Sequence, residues 1–273
     1  MTQKEYYDTH CNIPCILEKF GKKTYEEYLQ IIPETYKKLG YTPSFKGCIS
    51  VASDKETHQS TKQLEEYVHT VFGIHPLYCN SVDETIYDEI KELIQSERCV
   101  ALGETGLDYH EFPGMNYANK EQQLIAFRKQ LEIAKEFKKS IVLHTREADE
   151  DTKQIMSEMI DRETFIDVHC YTGSIEFAEW VLSEFPNAYI GIAGVVTFKT
   201  AQEIRDVVKI IPLDRLLVET DGPFMAPVPF RGKPCHSGMI PFIIREIAKV
   251  KNVSEDEVYH QTTLNAERMF NLK

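Results

Sequence analysis

The chain has no Cys-x-x-Cys pair, and its seven cysteines, an odd number, are scattered singly from Cys11 to Cys235. That pattern argues against a zinc site of four cysteines and against a disulfide framework. Cys48 and Cys99 lie in strand-like apolar runs and read as small buried apolar residues. No apolar run reaches the length of a membrane span, and the N-terminal MTQKEYYDTH lacks the apolar stretch of a secretion signal. The expectation is an intracellular protein, cytoplasmic or nuclear, without a membrane or an obligate protein partner. Basic residues are outnumbered 31 to 43 by acidic ones, so a net charge of −12 repels nucleic acid at long range. A protein that coats DNA is thereby disfavoured; a nuclease whose site holds cations is not. Linkers, low-complexity tracts and short repeats are also missing, which points to one domain over residues 1–273.

What is present is an alternation. Strand-like runs fall at about Glu5–His10, Gly47–Ala52, His69–Gly73, Cys99–Gly103, Ser140–His144, Thr164–His169, Ala188–Ile192 and Arg215–Glu219. Amphipathic stretches lie between them: Tyr25–Leu39, Glu84–Ile94, Lys120–Lys139, Glu147–Ile160, Ser174–Phe185 and Ala201–Ile210, with Met239–Val250 and Ser254–Phe270 in the tail. In the clearest, Leu124, Phe127, Leu131, Ala134 and Phe137 recur at helical spacing. Ser254 and Glu257 form an expected capping box. Eight strand–helix units are what a TIM (β/α)8 barrel requires, and such barrels need about 250 residues. An open doubly wound sheet is the competing arrangement.

Each strand ends on chemistry. Strand one ends at Asp8-Thr9-His10, strand three runs into His75-Pro76, and strand four stops at Glu104 between Gly103 and Gly106. Strands five, six and eight give His144, His169 and Glu219-Thr220-Asp221. Singly these are ordinary turn residues and hydrogen-bonding histidines. In a barrel, however, all C-terminal strand ends open onto one face, and imidazoles with carboxylates are a ligand set for divalent metals.

The segments DTHCN, GIHP, GETGLDY, LHTREA, HCYTGS, ETDGPFMAPVPFRGK and TTLNAERMF, in that order along nearly the whole chain, resemble the TatD family of metal-dependent deoxyribonucleases. The resemblance implies a barrel with one or two divalent cations, Mg2+ first and Zn2+ or Mn2+ as alternatives. It implies that Glu104 bridges both metal positions, that His144 and His169 complete one, and that His10 and Asp221 build the other. Asp221 would also orient or deprotonate the attacking water, which makes Glu104 and Asp221 the implied catalytic pair. The implied reaction is hydrolysis of DNA phosphodiesters, as a 3′–5′ exonuclease on single strands or 3′ ends. His75, Arg146, Arg231, Lys233 and the Gly173-Ser174 helix start are the substrate-binding candidates; for the basic residues, ordinary solvated charge is the competing explanation.

The chain departs from the family pattern in places. His10-Cys11-Asn12 stands where many members have His-x-His, and an Asn oxygen suits magnesium better than zinc-like ions. Pro234-Cys235-His236-Ser237 replaces the usual continuation after Lys233, in a loop expected to meet substrate. The stretch from Asn12 to Lys46 is expanded and has no assigned role. Two other functions compete: a metallohydrolase of the same barrel acting on a small amide, lactone or nucleobase, and an inactive barrel serving as a binding scaffold.

Overall fold

The computed structural model describes residues 4–81 and 83–272. Its strands are β1 (Glu5–Cys11), β2 (Ser44–Ala52), β3 (His69–Phe72), β4 (Cys99–Asp108), β5 (Ser140–Arg146), β6 (Ile166–Val168), β7 (Ala188–Ile192) and β8 (Leu216–Val218). They form one sheet in chain order. Helices α1 (Ile13–Phe20) and α2 (Tyr25–Ile31) follow β1, and α3 (Lys55–Lys62) follows β2. Then come α4 (Thr85–Leu93), α5 (Lys120–Glu136), α6 (Asp149–Met159), α7 (Ile175–Glu184) and α8 (Gln202–Ile210), one after each of β3 to β7, with α9 (Ile240–Lys251) and α10 (Glu255–Phe270) after β8. The expected TIM (β/α)8 barrel is what forms. Among the described residues no helix is long and apolar enough to cross a membrane.

The chain gathers into two compact units, Met1–Ser50 with Ile190–Lys273, and Val51–Tyr189. In the second, β3, β4, β5 and β6 pair in parallel around buried Val71, Phe72, Leu102, Val142 and Leu143. Here β4 differs from expectation. It does not stop at Gly103 but continues to Asp108, because an irregularity in register absorbs the charged residue. Gly103 pairs with Val142 and Thr105 with Leu143, which leaves Glu104 as the extra residue between them.

Helix α5 starts at a complete capping box, Asn119 with Gln122. Its buried face contains Phe127, Leu131 and Ala134 as expected, but also Gln123 and Gln130. Both glutamines clamp backbone. Gln130 accepts from Ile74 N–H at 2.7 Å and donates to the same residue's carbonyl at 3.1 Å. Gln123 does the same to Asp108, at 2.8 Å in both directions. A buried backbone amide without a partner is costly, so these side chains satisfy groups that the irregular strand ends leave over.

In the first unit β1 pairs with β2, and β7 with β8. The expected helix Tyr25–Leu39 ends early, at Ile31, and continues as a 3-10 segment over Ile32–Lys38. Pro33 is the cause: it has no N–H to donate, and its ring crowds the preceding turn. Asn12, weighed as a metal ligand, instead caps α1, its side-chain oxygen accepting from Cys15 N–H at 2.9 Å. The expanded stretch has a packing role. Thr35 donates to the Gly238 carbonyl at 2.6 Å, and a Cβ on Gly238 would meet the Ile32 carbonyl at 2.2 Å, so only glycine allows this approach. Only the Ser254 half of the expected α10 capping box forms. From the TTLNAERMF segment, buried Asn265 donates to the carbonyls of Leu213 and Leu216, fixing the entry of β8.

Replacing Gln130 with Met keeps the volume but orphans the Ile74 N–H and carbonyl. We expect a loss of about 2–4 kcal/mol in unfolding free energy, read as a lower urea midpoint with unchanged slope. A loss below about 0.5 kcal/mol would show that the clamp is dispensable.

Candidate metal centre

Glu104 on β4, His144 on β5 and His169 directly after β6 come together in the Val51–Tyr189 unit. Glycines make this possible. Gly106 pairs with His144 at a φ of +145°, and a Cβ there would lie 1.9 Å from the His144 carbonyl. Gly103, at +155°, is also close to its neighbour: a Cβ there would lie 2.5 Å from the Val142 carbonyl. With both strands so close, Glu104 is buried, its side chain 10% exposed. Its two oxygens have different surroundings. Oε1 accepts from the Ser53 hydroxyl at 3.0 Å. Oε2 faces imidazoles: His169 Nε2 at 2.6 Å, His144 Nδ1 at 3.4 Å and His75 Nε2 at 3.8 Å.

Asp108, which sequence reasoning missed, completes the cluster. Its Oδ2 lies 3.2 Å from His144 Nε2, the ring nitrogen opposite the one that faces Glu104. The signal was present in GETGLDY, but the expected end of β4 at Gly103 placed Asp108 in a loop. Burial opposes charge on His144, yet the Asp108 and Glu104 carboxylates prevail and hold its pKa up at about 9. Burial and the His144 ring push His75 down to about 3, so it is neutral at physiological pH. Burial works against ionised Asp108 too, but the hydrogen bond from His144 outweighs it and keeps that carboxyl below its usual range.

The donor atoms fit a cation. One atom each from Glu104, His144 and His169 lie within 4.8 Å of one another, and the same holds for His75, Asp108 and His144. A proton on His144 offsets the buried carboxylates here, and a divalent ion is the natural replacement for it. With Nε2–H donated to Asp108, the Nδ1 lone pair, 3.1 Å from His169 Nε2 and 3.4 Å from Glu104 Oε2, is turned to the side where an ion would be held, the carboxylate–histidine–metal arrangement.

In the other unit β1 brings buried His10 beside the segment after β8. Asp221 N–H donates to the His10 carbonyl at 2.9 Å, and Asn12 N–H to the Gly222 carbonyl at 2.8 Å. Asp221 takes a φ of +51°, a left-handed conformation that Asp tolerates better than most residues. Fully buried Asp8 holds this junction, accepting from the Thr220 N–H (2.9 Å), the Thr220 hydroxyl (2.6 Å) and the Ser237 hydroxyl (2.7 Å). Burial raises its pKa to about 6 against the lowering effect of those bonds.

The remaining candidates are placed as follows. The Arg146 guanidinium lies 5.5 Å from the Phe112 ring centre. Ser174 caps α7, accepting from Phe177 N–H, and donates to Asp149, so its hydroxyl is already engaged. A Cβ on Gly173 would meet the Tyr171 hydroxyl at 2.8 Å. Exposed Arg231 stacks 3.8 Å over Phe198, and Lys233 is exposed. The loop expected to meet substrate does not present its side chains: Cys235, His236 and Ser237 are at most 3% exposed, and His236 packs on Phe20. This departure from the family pattern is explained by packing against the expanded N-terminal stretch.

The chain is similar to known proteins in sequence and in fold. The sequence pattern of a family described as TatD related DNase matches residues 7–271. YabD of Bacillus subtilis, named a metal-dependent hydrolase, is 34% identical over 97% of this chain and 99% of its own. A protein of Erwinia tasmaniensis named 3′-5′ ssDNA/RNA exonuclease TatD is 33% identical over 77% of this chain and 81% of its own. Among solved structures, the TatD homologue YjjV of Escherichia coli superposes with a TM-score of 0.82, covering both chains fully at 23% identity.

Because the cation must displace a proton from His144, affinity should rise with pH up to about 9. Calorimetry of Mn2+ binding at pH 7 in buffers of different ionisation enthalpy should show about one proton released per ion. Affinity that does not change between pH 6 and 9 would overturn this description of His144.

Proposed function

This chain belongs to the TatD-related DNase family, and from that premise we propose that it is a cation-dependent nuclease that hydrolyses phosphodiester bonds of single-stranded DNA from the 3′ end. The observation that supports this most is the Glu104 carboxylate, with one oxygen held by Ser53 and the other turned to His144 and His169. These three residues would hold the ion. His10 and Asp221, joined through their backbones, are the proposed ligands of a second. Two imidazoles and a carboxylate suit Mn2+ or Zn2+ better than Mg2+, which prefers oxygen and keeps its waters. A divalent ion would supply charge against the phosphodiester and acidify bound water.

The protein's own part is to orient and neutralise. Asp108 fixes the His144 ring and its tautomer. His75, neutral at physiological pH and accepting from Leu77 N–H at Nδ1, can donate its Nε2–H toward a phosphate oxygen. Arg146 offers a planar cation for a second phosphate. The nuclease name of the Erwinia relative supports the choice of substrate.

Protein stripped with EDTA should not digest a labelled single-stranded oligonucleotide, and added Mn2+ or Mg2+ should restore digestion. Cleavage that persists after confirmed metal removal would falsify the mechanism. Among variants, Glu104→Gln should lower kcat/KM by about a hundredfold or more, since the charge that holds the ion is gone. Arg146→Ala should cost about tenfold, because it is one of several phosphate contacts. Near-normal activity in Glu104→Gln would remove Glu104 from the site.

A further inference from the structure

A row of aromatic rings runs outward from the cation cluster within the Val51–Tyr189 unit. The His75 ring lies 4.4 Å from that of His144 and 5.6 Å from that of Tyr78. Tyr78 lies 6.0 Å from Tyr117, and Tyr117 5.3 Å from Phe112. The Arg146 guanidinium sits 5.5 Å from the centre of Phe112. Tyr78, in the middle of the row, is 42% exposed. The interplanar angles from Tyr78 to Phe112, 71° and 85°, show rings meeting edge to face.

The row is also held in place. Tyr117 and Phe112 lie in the loop between β4 and α5, which is tied to the segment after β3. There Ala118 N–H donates to the Leu77 carbonyl and Asn80 to the Asn116 carbonyl, both at 3.0 Å. The two loops that present the rings thus act as one surface, prepared before any ligand arrives.

From this geometry we infer that the Tyr78 ring is a stacking platform for an unpaired nucleobase of the substrate strand, with Arg146 taking the adjoining phosphate. The inference rests on the nuclease reading and specifies how that site recognises its strand. The occupant follows from chemistry. A net charge of −12 gives the phosphates little long-range help, so affinity must come from contacts that do not depend on net charge. Base–aromatic stacking is such a contact and tolerates any sequence, because every base has a π-face. It also selects single strands, since a base within a duplex has no free face to offer. An arginine beside the rings adds a partner for the charged backbone that an aliphatic side chain would not attract.

The test uses the full-length protein with Mn2+ and a fluorescein-labelled single-stranded DNA in which one abasic residue is placed at successive positions. In the unmodified protein an abasic residue at one position near the 3′ end should raise KM about tenfold, with a smaller change in kcat. In Tyr78→Ala the fully based strand should have the higher KM and the abasic penalty should vanish. Tyr78→Phe, which keeps the ring, should retain the penalty, and Ile125→Ala, which removes a comparably exposed side chain from α5, should not alter it. Binding is followed in parallel by anisotropy with the EDTA-stripped protein. Cleavage without an abasic penalty, or with the same penalty in Tyr78→Ala, overturns the platform and leaves the nuclease reading standing. Binding with the penalty but without cleavage supports the platform and overturns the nuclease reading. A strand neither bound nor cleaved overturns both.

Discussion

A buried glutamate whose carboxylate faces three imidazoles is the constraint on which the site depends. Burying a charge is expensive unless it is paired, and Glu104 is paired on both oxygens: one by the Ser53 hydroxyl, the other by nitrogens that accept either a proton or an ion. The extra residue in β4 puts the side chain there, and Gly103 and Gly106 let β5 approach closely enough to supply His144. With bulkier residues at either glycine the backbones would separate and the donors would no longer converge.

A layer of hydrogen-bonded polar groups stands behind these residues. Gln130 and Gln123 hold the backbone at Ile74 and Asp108, so the positions of His75 and of the His144 partner are set from α5. In the other unit Asp8, Thr220 and Ser237 do the equivalent for the segments bearing His10 and Asp221. Neither set is among the proposed ligands. Their effect is to remove the freedom that charged side chains would otherwise use to turn away from one another.

The acidic surface and the aromatic row are consistent with each other. A protein with excess negative charge binds polyanions only through local cations and through contacts indifferent to charge. The cluster around Glu104 invites the first, and the rings from His75 to Phe112 offer the second. Arg146 joins the two, because it lies on the strand that bears His144 and stacks on Phe112.

By itself the sequence determined the order of the elements and which histidines and carboxylates lie in or just after the strands. Apolar runs alternating with amphipathic stretches leave a buried parallel sheet as the economical solution, and seven motifs in family order named the histidines and carboxylates. Only the tertiary structure decided which of these groups meet. Asp108 was invisible because a strand that runs on through a charged residue breaks the apolar pattern by which strands are read. Gln123 and Gln130 lie outside the apolar stripe by which α5 is read, and only the arrival of two backbone segments makes them buried clamps. Asn12 resembled a ligand until its oxygen was seen capping α1, and the Cys235–Ser237 loop resembled a substrate contact until α1 and its neighbours covered it. The physical reason is the same in each case: periodicity reports the face a residue prefers, whereas a polar side chain bonds to whatever long-range packing brings within about 3 Å.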